Sequence, residues 1–218
     1  MKISNLLILI LTAFICAALL YEKVVLKSAY EKIDKSSRFG QYDYTNEYDH
    51  FSHVVVNGNN QGLVSFYQKG TSLMKYKDNM KGKFISRITN DTLYLDFDKS
   101  LTANLIKLNR YKRIVVFYDT LKSIKFTNSN IYIHANELKT LKANGKGVSD
   151  FCLHGNKVDS LIYHTSDKNT SHFNYGEPSH IDNLIIKASG DSRTFLKNII
   201  SKKDVITKSG NAFVNYNK

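Results

Sequence analysis

Seven histidines, His50, His53, His134, His154, His164, His172 and His180, are the residues of this 218-residue chain with the widest chemical range. A zinc site needs ligands gathered at one point, which sequences achieve by setting them two to five residues apart on one element. No His-x-His, His-x-Glu-x-x-His or paired-cysteine element occurs, and the even gaps from His164 to His172 to His180 span two expected loops. The histidines therefore read as solvated or locally hydrogen-bonded groups, and no metal or other cofactor is expected. Nucleophilic catalysis finds no support either. There is no G-x-S-x-G and no phosphate-cradling glycine loop, Gly145-Lys146-Gly147 reads as a turn, and Cys152 has no obvious base beside it in sequence.

Two carboxylates carry one further catalytic option. Asp159 and Asp182 each follow the first apolar residue of a repeated frame, described below, so stacked frames would make them neighbours, as acid–base cleavage of a polysaccharide requires. The same column begins with Lys122 and Lys139, which gives it the look of a solvated face. No enzyme is expected.

Charge is the feature with a physical consequence for partners. The chain holds 31 Lys and Arg against 19 Asp and Glu, a net +12, and 25 of the basic and 13 of the acidic residues lie from Phe51 onward. Lys122, Lys125, Lys139 and Lys142 fall on outward spacer positions of consecutive frames, and Lys197, Lys202, Lys203 and Lys208 crowd the last. Such rows attract anionic envelope polymers or lipid headgroups over a Debye length of about 8 Å. The competing reading is that outward lysines keep strands soluble and their edges unpaired.

The element that sets location is the N-terminus. Residues 3–21 are apolar apart from Ser4, Asn5 and Thr12, a length within the roughly 17–25 residues of a membrane-spanning helix. Tyr21, Glu22 and Lys23 continue the run into an interfacial signature, favouring an uncleaved signal anchor, while Cys16-Ala17-Ala18 leaves signal-peptidase cleavage open. An exported body follows, periplasmic or at the cell surface, and nucleic acid is not an expected partner. Residues 22–50, near neutral and tyrosine-bearing, read as a stalk, in which Ser28 and Glu31 have capping-box spacing for a short helix.

From residue 51 to 218 the chain reads as all-β. Expected strands are 53–57, 63–68, 73–77, 84–89, 92–97, 113–118, 124–126, 131–134, 138–143, 158–164, 181–188 and 205–208, with 100–110 and 194–200 as short helices or loops. One frame recurs: Phe51-x-x-Val54-x-Val56-x-Gly58, Tyr111-x-x-Ile114-x-Val116, Leu121-x-x-Ile124-x-Phe126-x-Asn128, Leu138-x-x-Leu141-x-Ala143-x-Gly145, Val158-x-x-Leu161-x-Tyr163 and Ile181-x-x-Leu184-x-Ile186-x-Ala188. Coils that cannot bury their own apolar rows must stack, so the frame predicts a β-solenoid, a right-handed β-helix-like body preceded by the apolar helix. A leucine-rich repeat would place Asn or Cys where Ser129, Lys146, Ser166 and Ser189 stand, and an antiparallel sandwich remains the alternative architecture.

These residues resemble the GIN domain, the head domain of auto-transporter adhesins in exported or envelope-anchored bacterial proteins. The resemblance covers about residues 51–217 and lies in Phe51-Ser52-His53-Val54-Val55-Val56-Asn57-Gly58 followed by Gly62-Leu63-Val64-Ser65-Phe66-Tyr67-Gln68-Lys69-Gly70, similar to that family's first hairpin. It lies also in Thr89-Asn90-Asp91-Thr92-Leu93-Tyr94-Leu95, in Leu121-Lys122-Ser123-Ile124, and in the turns Ala143-Asn144-Gly145 and Ala188-Ser189-Gly190. It implies a β-helix-like exported domain without enzymatic activity or transferable site residues. The combined expectation is a membrane-anchored, non-catalytic binding or adhesion module at the cell envelope. The alternative is an accessory envelope protein that assembles with a membrane partner through its helix and stalk.

Overall fold

The computed structural model describes residues 42–98, 114–134, 137–154, 157–173 and 178–216, with scattered positions between residues 11 and 27. Residues Asp43–Lys218 form one compact unit, and Met1–Tyr42 are grouped apart. Most of segment 3–21, the possible helix at 28–31 and the stretch 100–110 lie outside the described residues. Among those described, no helix is long and apolar enough to cross a membrane.

The unit is mostly β-sheet. In chain order the strands are β1 Tyr44–Glu47, β2 His53–Gln68, β3 Leu73–Tyr76, β4 Phe84–Thr89, β5 Thr92–Phe97, β6 Ile114–Tyr118, β7 Ser123–His134, β8 Glu137–Lys146, β9 Asp150–His154, β10 Lys157–Ser166, β11 Thr170–Phe173, β12 Ser179–Ala188, β13 Arg193–Leu196, β14 Ile199–Lys208 and β15 Phe213–Tyr216. A single 3-10 turn at Asp78–Met80 is also present. The large mixed sheet runs β1-β3-β6-β2-β7-β8-β10-β12-β14, and a second sheet runs β11-β13-β15.

Parallel pairing at long, repeated offsets organises the second half. Leu138 pairs with Val158 and Val158 with Ile181; one step on, Leu141, Leu161 and Leu184 form the next rung. The expected frame is thus in register across β8, β10 and β12, and its apolar positions are buried: Leu141, Leu161 and Tyr163 have no exposed surface, and Ile186 none. A parallel ladder with one wet face buries alternate residues, which is the pattern β8 shows from Leu141 onward. The frame beginning at Phe51 is also in register, with that of Leu121, since Val54 pairs with Ile124 and Val56 with Phe126.

Between β7 and β8 the frame slips. Ile124 pairs with Ala143 and Phe126 with Gly145, two positions from where the frame would align them. A shift of two keeps every inward residue inward. This register leaves no room for a side chain at Gly145, whose Cβ would lie 2.6 Å from the Phe126 ring and 2.7 Å from Asn169 Nδ2. Phe126 occupies the space that the missing side chain leaves.

Two expectations are corrected. The segments on either side of residues 58–61 form no hairpin: β2 is one continuous strand, both halves of which pair parallel with β7. Residues 194–200 hold no helix: 194–196 belong to β13, 197–198 are the connection, and 199–200 begin β14. In addition, Tyr44–Glu47, placed in the connecting stretch by the sequence, pairs antiparallel with β3 as the first strand of the sheet.

The corner between the two sheets is a stack of turns. Asn128, Gly147, Asp167, Gly190 and Gly210 all have positive φ at successive corners. Asn and Asp tolerate this conformation better than other side chains, so they can stand where glycine stands at the other corners. Asn128 also accepts the Val148 N–H at 3.0 Å through Oδ1, tying one corner to the next. Inside a later corner, Asn169 Oδ1 accepts the hydroxyls of Tyr163 at 2.9 Å, Thr165 at 2.8 Å and Ser171 at 2.6 Å, so these buried polar groups are partnered.

Candidate functional site

The outward face of β7, β8, β10, β12 and β14 is built from columns fixed by register. One column reads His53, Ser123, Lys142, Ile162, Ile185, Val205 across β2, β7, β8, β10, β12 and β14. Beside it runs Val55, Lys125, Asn144, His164, Lys187, Thr207. On the other flank stand Thr140, Ser160, Asn183 and Lys203. None of these residues is acidic.

The structure separates the four lysines singled out from the sequence into two pairs. Lys125 and Lys142 line a pocket of about 290 Å³ together with His53, Asn144, Ile162 and His164. Both lysines are exposed, and among the described residues no carboxylate is ion-paired with either. His53 is set by a 2.7 Å hydrogen bond between Nδ1 and Ser123 Oγ. Lys122 and Lys139 instead line a shallower groove of about 770 Å³ with Lys157, Glu137 and Asp159. There Glu137 and Lys157 are ion-paired at 3.3 Å and Asp159 offsets a second lysine, so the groove is largely compensated while the first pocket has no carboxylate at all.

Asp159 and Asp182 do become neighbours in register, flanked by Lys139 and Lys202 at the equivalent positions. Lys202 Nζ lies 2.9 Å from Asp182 Oδ1. A ladder of two adjacent acids, each with a lysine on its outer side, is an arrangement for a solvated ion-paired face. It supplies neither the desolvation nor the opposed geometry that a proton-donating carboxyl needs.

Other titratable groups collect on the second sheet's side. Cys152 is fully buried, with its thiol 3.9 Å from Asp150 Oδ2. Burial, with the Asp150 carboxylate beside it, pushes the thiol far up, so it stays protonated and is a poor nucleophile. Burial also raises Asp150, against the opposing charge of His172 and backbone N–H groups of His172 and Phe151. His134 stacks between Tyr67, at 4.4 Å, and His154, at 4.8 Å, as a continuous row of rings. Among the described residues no three His, Cys, Asp or Glu side chains are placed to hold a metal ion.

Sequence reasoning missed the apolar part of the first pocket. Ile162 and Ile185 occupy the spacer position between the two inward residues of their frames, where a wet face ordinarily carries polar side chains. That was the available signal.

No family model matches the chain, and no curated protein matches it. Among solved structures it is similar to a candidate adhesin from Bacteroides fragilis, 18% identical, with 78% of this chain and 95% of that one covered and a TM-score of 0.45. It is similar also to a candidate lipid-binding protein from Parabacteroides distasonis, 11% identical over 79% of this chain and 96% of that one with a TM-score of 0.34. A third, a candidate cell adhesion protein from Clostridium sporogenes, is 8% identical over 79% and 96% with a TM-score of 0.31. At such identities and scores, neither fold nor function carries over.

Proposed function

We propose that the chain is a non-catalytic binding module of the cell envelope, a β-solenoid of GIN type that residues 3–21 anchor and that holds anionic envelope polymers on its basic face. The solenoid reading is supported by the parallel rungs at offsets of about twenty residues and by the stacked corners. The binding reading rests on one observation: Lys125 and Lys142 converge on a pocket that also takes in His53 and His164 and holds no carboxylate. A cation cluster without internal compensation raises the local concentration of polyanions and is weakened by salt.

The test is binding of the full chain to polyglycerol phosphate, with neutral dextran as the control, at low and high ionic strength. Binding to the polyphosphate should weaken as salt rises. Two surface lysines contribute about 1 kcal/mol each against an anionic surface, so Lys125→Gln with Lys142→Gln should weaken it by about tenfold or more. Equal binding to dextran, or a double variant that binds as tightly as the parent, sinks the proposal.

A further inference from the structure

The pocket is only one end of a longer feature. From Lys142 its column continues through Ile162 and Ile185 to Val205 on the edge strand, and Val205 is 58% exposed. Parallel strands lie about 4.8 Å apart, so the three steps from Lys142 to Val205 cover about 14 Å. That is close to the length of one acyl chain, given a bilayer hydrocarbon core of about 30 Å made of two leaflets. Ile162 and Ile185 are half-buried and Val205 exposed, and such an outward aliphatic row is not a solubility device, because it leaves part of its apolar area in water where a polar residue costs nothing. Cations border it: Lys125 and Lys142 at the pocket end, Lys187 in the column on one side and Lys203 in the column on the other.

We propose that this column is a site for an acylated anion, whose phosphate or carboxylate sits between Lys125 and Lys142 and whose chain lies along Ile162, Ile185 and Val205. The inference rests on the anionic-ligand reading and specifies its ligand class: the partner is amphipathic, and the envelope polymer is recognised where it carries a fatty chain. Charge complementarity selects the head and the apolar row selects the tail. Neither part alone makes a strong site, since exposed lysines hold a small anion weakly and an open aliphatic strip holds a neutral chain weakly.

The experiment uses the full chain in nanodiscs of neutral phosphatidylcholine, titrated with octyl phosphate, inorganic phosphate or octyl glucoside and followed by the methyl signals of Ile162 and Ile185. Burying about three methylenes already corresponds to more than tenfold in affinity. Octyl phosphate should therefore bind at least tenfold more tightly than inorganic phosphate, and move both isoleucine signals. Ile162→Ser and Ile185→Ser should each remove most of that advantage while leaving the signals of core residues such as Leu161 and Leu184 in place, and Ile185→Leu should retain it. Partition of the probe into the lipid is the same for every variant, so the difference between variants reports the site. Equal affinity for octyl phosphate and inorganic phosphate overturns the acylated-ligand inference and leaves the anionic reading standing. Equal affinity for octyl glucoside and octyl phosphate overturns it too, by removing the head-group selection. If no probe binds while polyglycerol phosphate does, the column is not the site.

Discussion

Burial decides what Asp150 does for stability. Its Oδ1 is buried without a hydrogen-bond partner, and burial raises its pKa above the ordinary aspartate value despite the nearby His172. A carboxyl with a higher pKa folded than unfolded holds its proton more tightly in the native state. Its contribution is therefore fully favourable below the unfolded pKa and is lost as pH rises through the folded one, so that at neutral pH the buried charge is a burden. Asp150→Asn retains an acceptor for the backbone N–H groups of Phe151 and His172 and removes the charge. The variant should melt above the parent at pH 7, with the gap closing as the pH falls to about 4, near the unfolded aspartate value. Thermal melts of both proteins across that range check it, and a gap of constant size would show that the charge is irrelevant.

At the scale of elements, the register of β7 on β8 leaves no room for a side chain at Gly145. A methyl group at that position meets the Phe126 ring and the Asn169 amide, both held by buried neighbours, so Gly145→Ala should overpack the rung and cost about 1–3 kcal/mol. For a chain of this size that lowers the melting temperature by about 2–10 °C, which calorimetry would resolve. A variant that melts with the parent would show that the rung has room for a side chain there. Gly58 and Gly62 resemble hairpin punctuation, yet a Cβ on Gly58 would stand 2.2 Å from both the Asn128 carbonyl oxygen and Ser129 Oγ. Gly58 records the close approach of β7. The first sheet was legible because its inward residues are large aliphatics at fixed spacing. The second was not: β11 turns Ser171 and Phe173 inward, and β13 turns Thr194 and Leu196 inward while Phe195 faces out to stack on His172 at 5.0 Å. Short strands with polar inward residues and aromatic outward ones carry no alternation to detect. The lysine rows could be placed on a face from the frame, but their division into a compensated groove and a cationic pocket depends on the Glu137–Lys157 pair and on the slipped register, which sequence spacing does not reveal.

At the scale of the whole molecule, β14 stands at the end of the large sheet's strand order, and a stack of parallel strands stays single only where its last rung resists further pairing. On β14, Ser201, Asp204 and Lys208 stand where β12 has Ile181, Leu184 and Ala188. Polar residues thus replace three positions of the apolar rung at this edge of the core, while Ile206 opposite Ile186 stays apolar, and the polar ones disfavour pairing with a second copy. Ser201 contributes to the closure through a 2.6 Å hydrogen bond with the Tyr216 hydroxyl on β15, and Lys202 and Lys203 place like charges along the outer edge. Replacing the set by Ser201→Ile, Asp204→Leu and Lys208→Ala recreates the β12 rung on an edge strand whose backbone groups are open to pairing. The triple variant should associate end to end in a concentration-dependent way that sedimentation velocity detects, and more readily in high salt, where repulsion between the Lys203 side chains of approaching copies is screened, Lys202 being paired with Asp182. The parent should not respond to salt in this way. If the variant sediments as the parent does at every concentration, polar closure is not what ends the stack, and the charged edge of β14 would have to suffice alone.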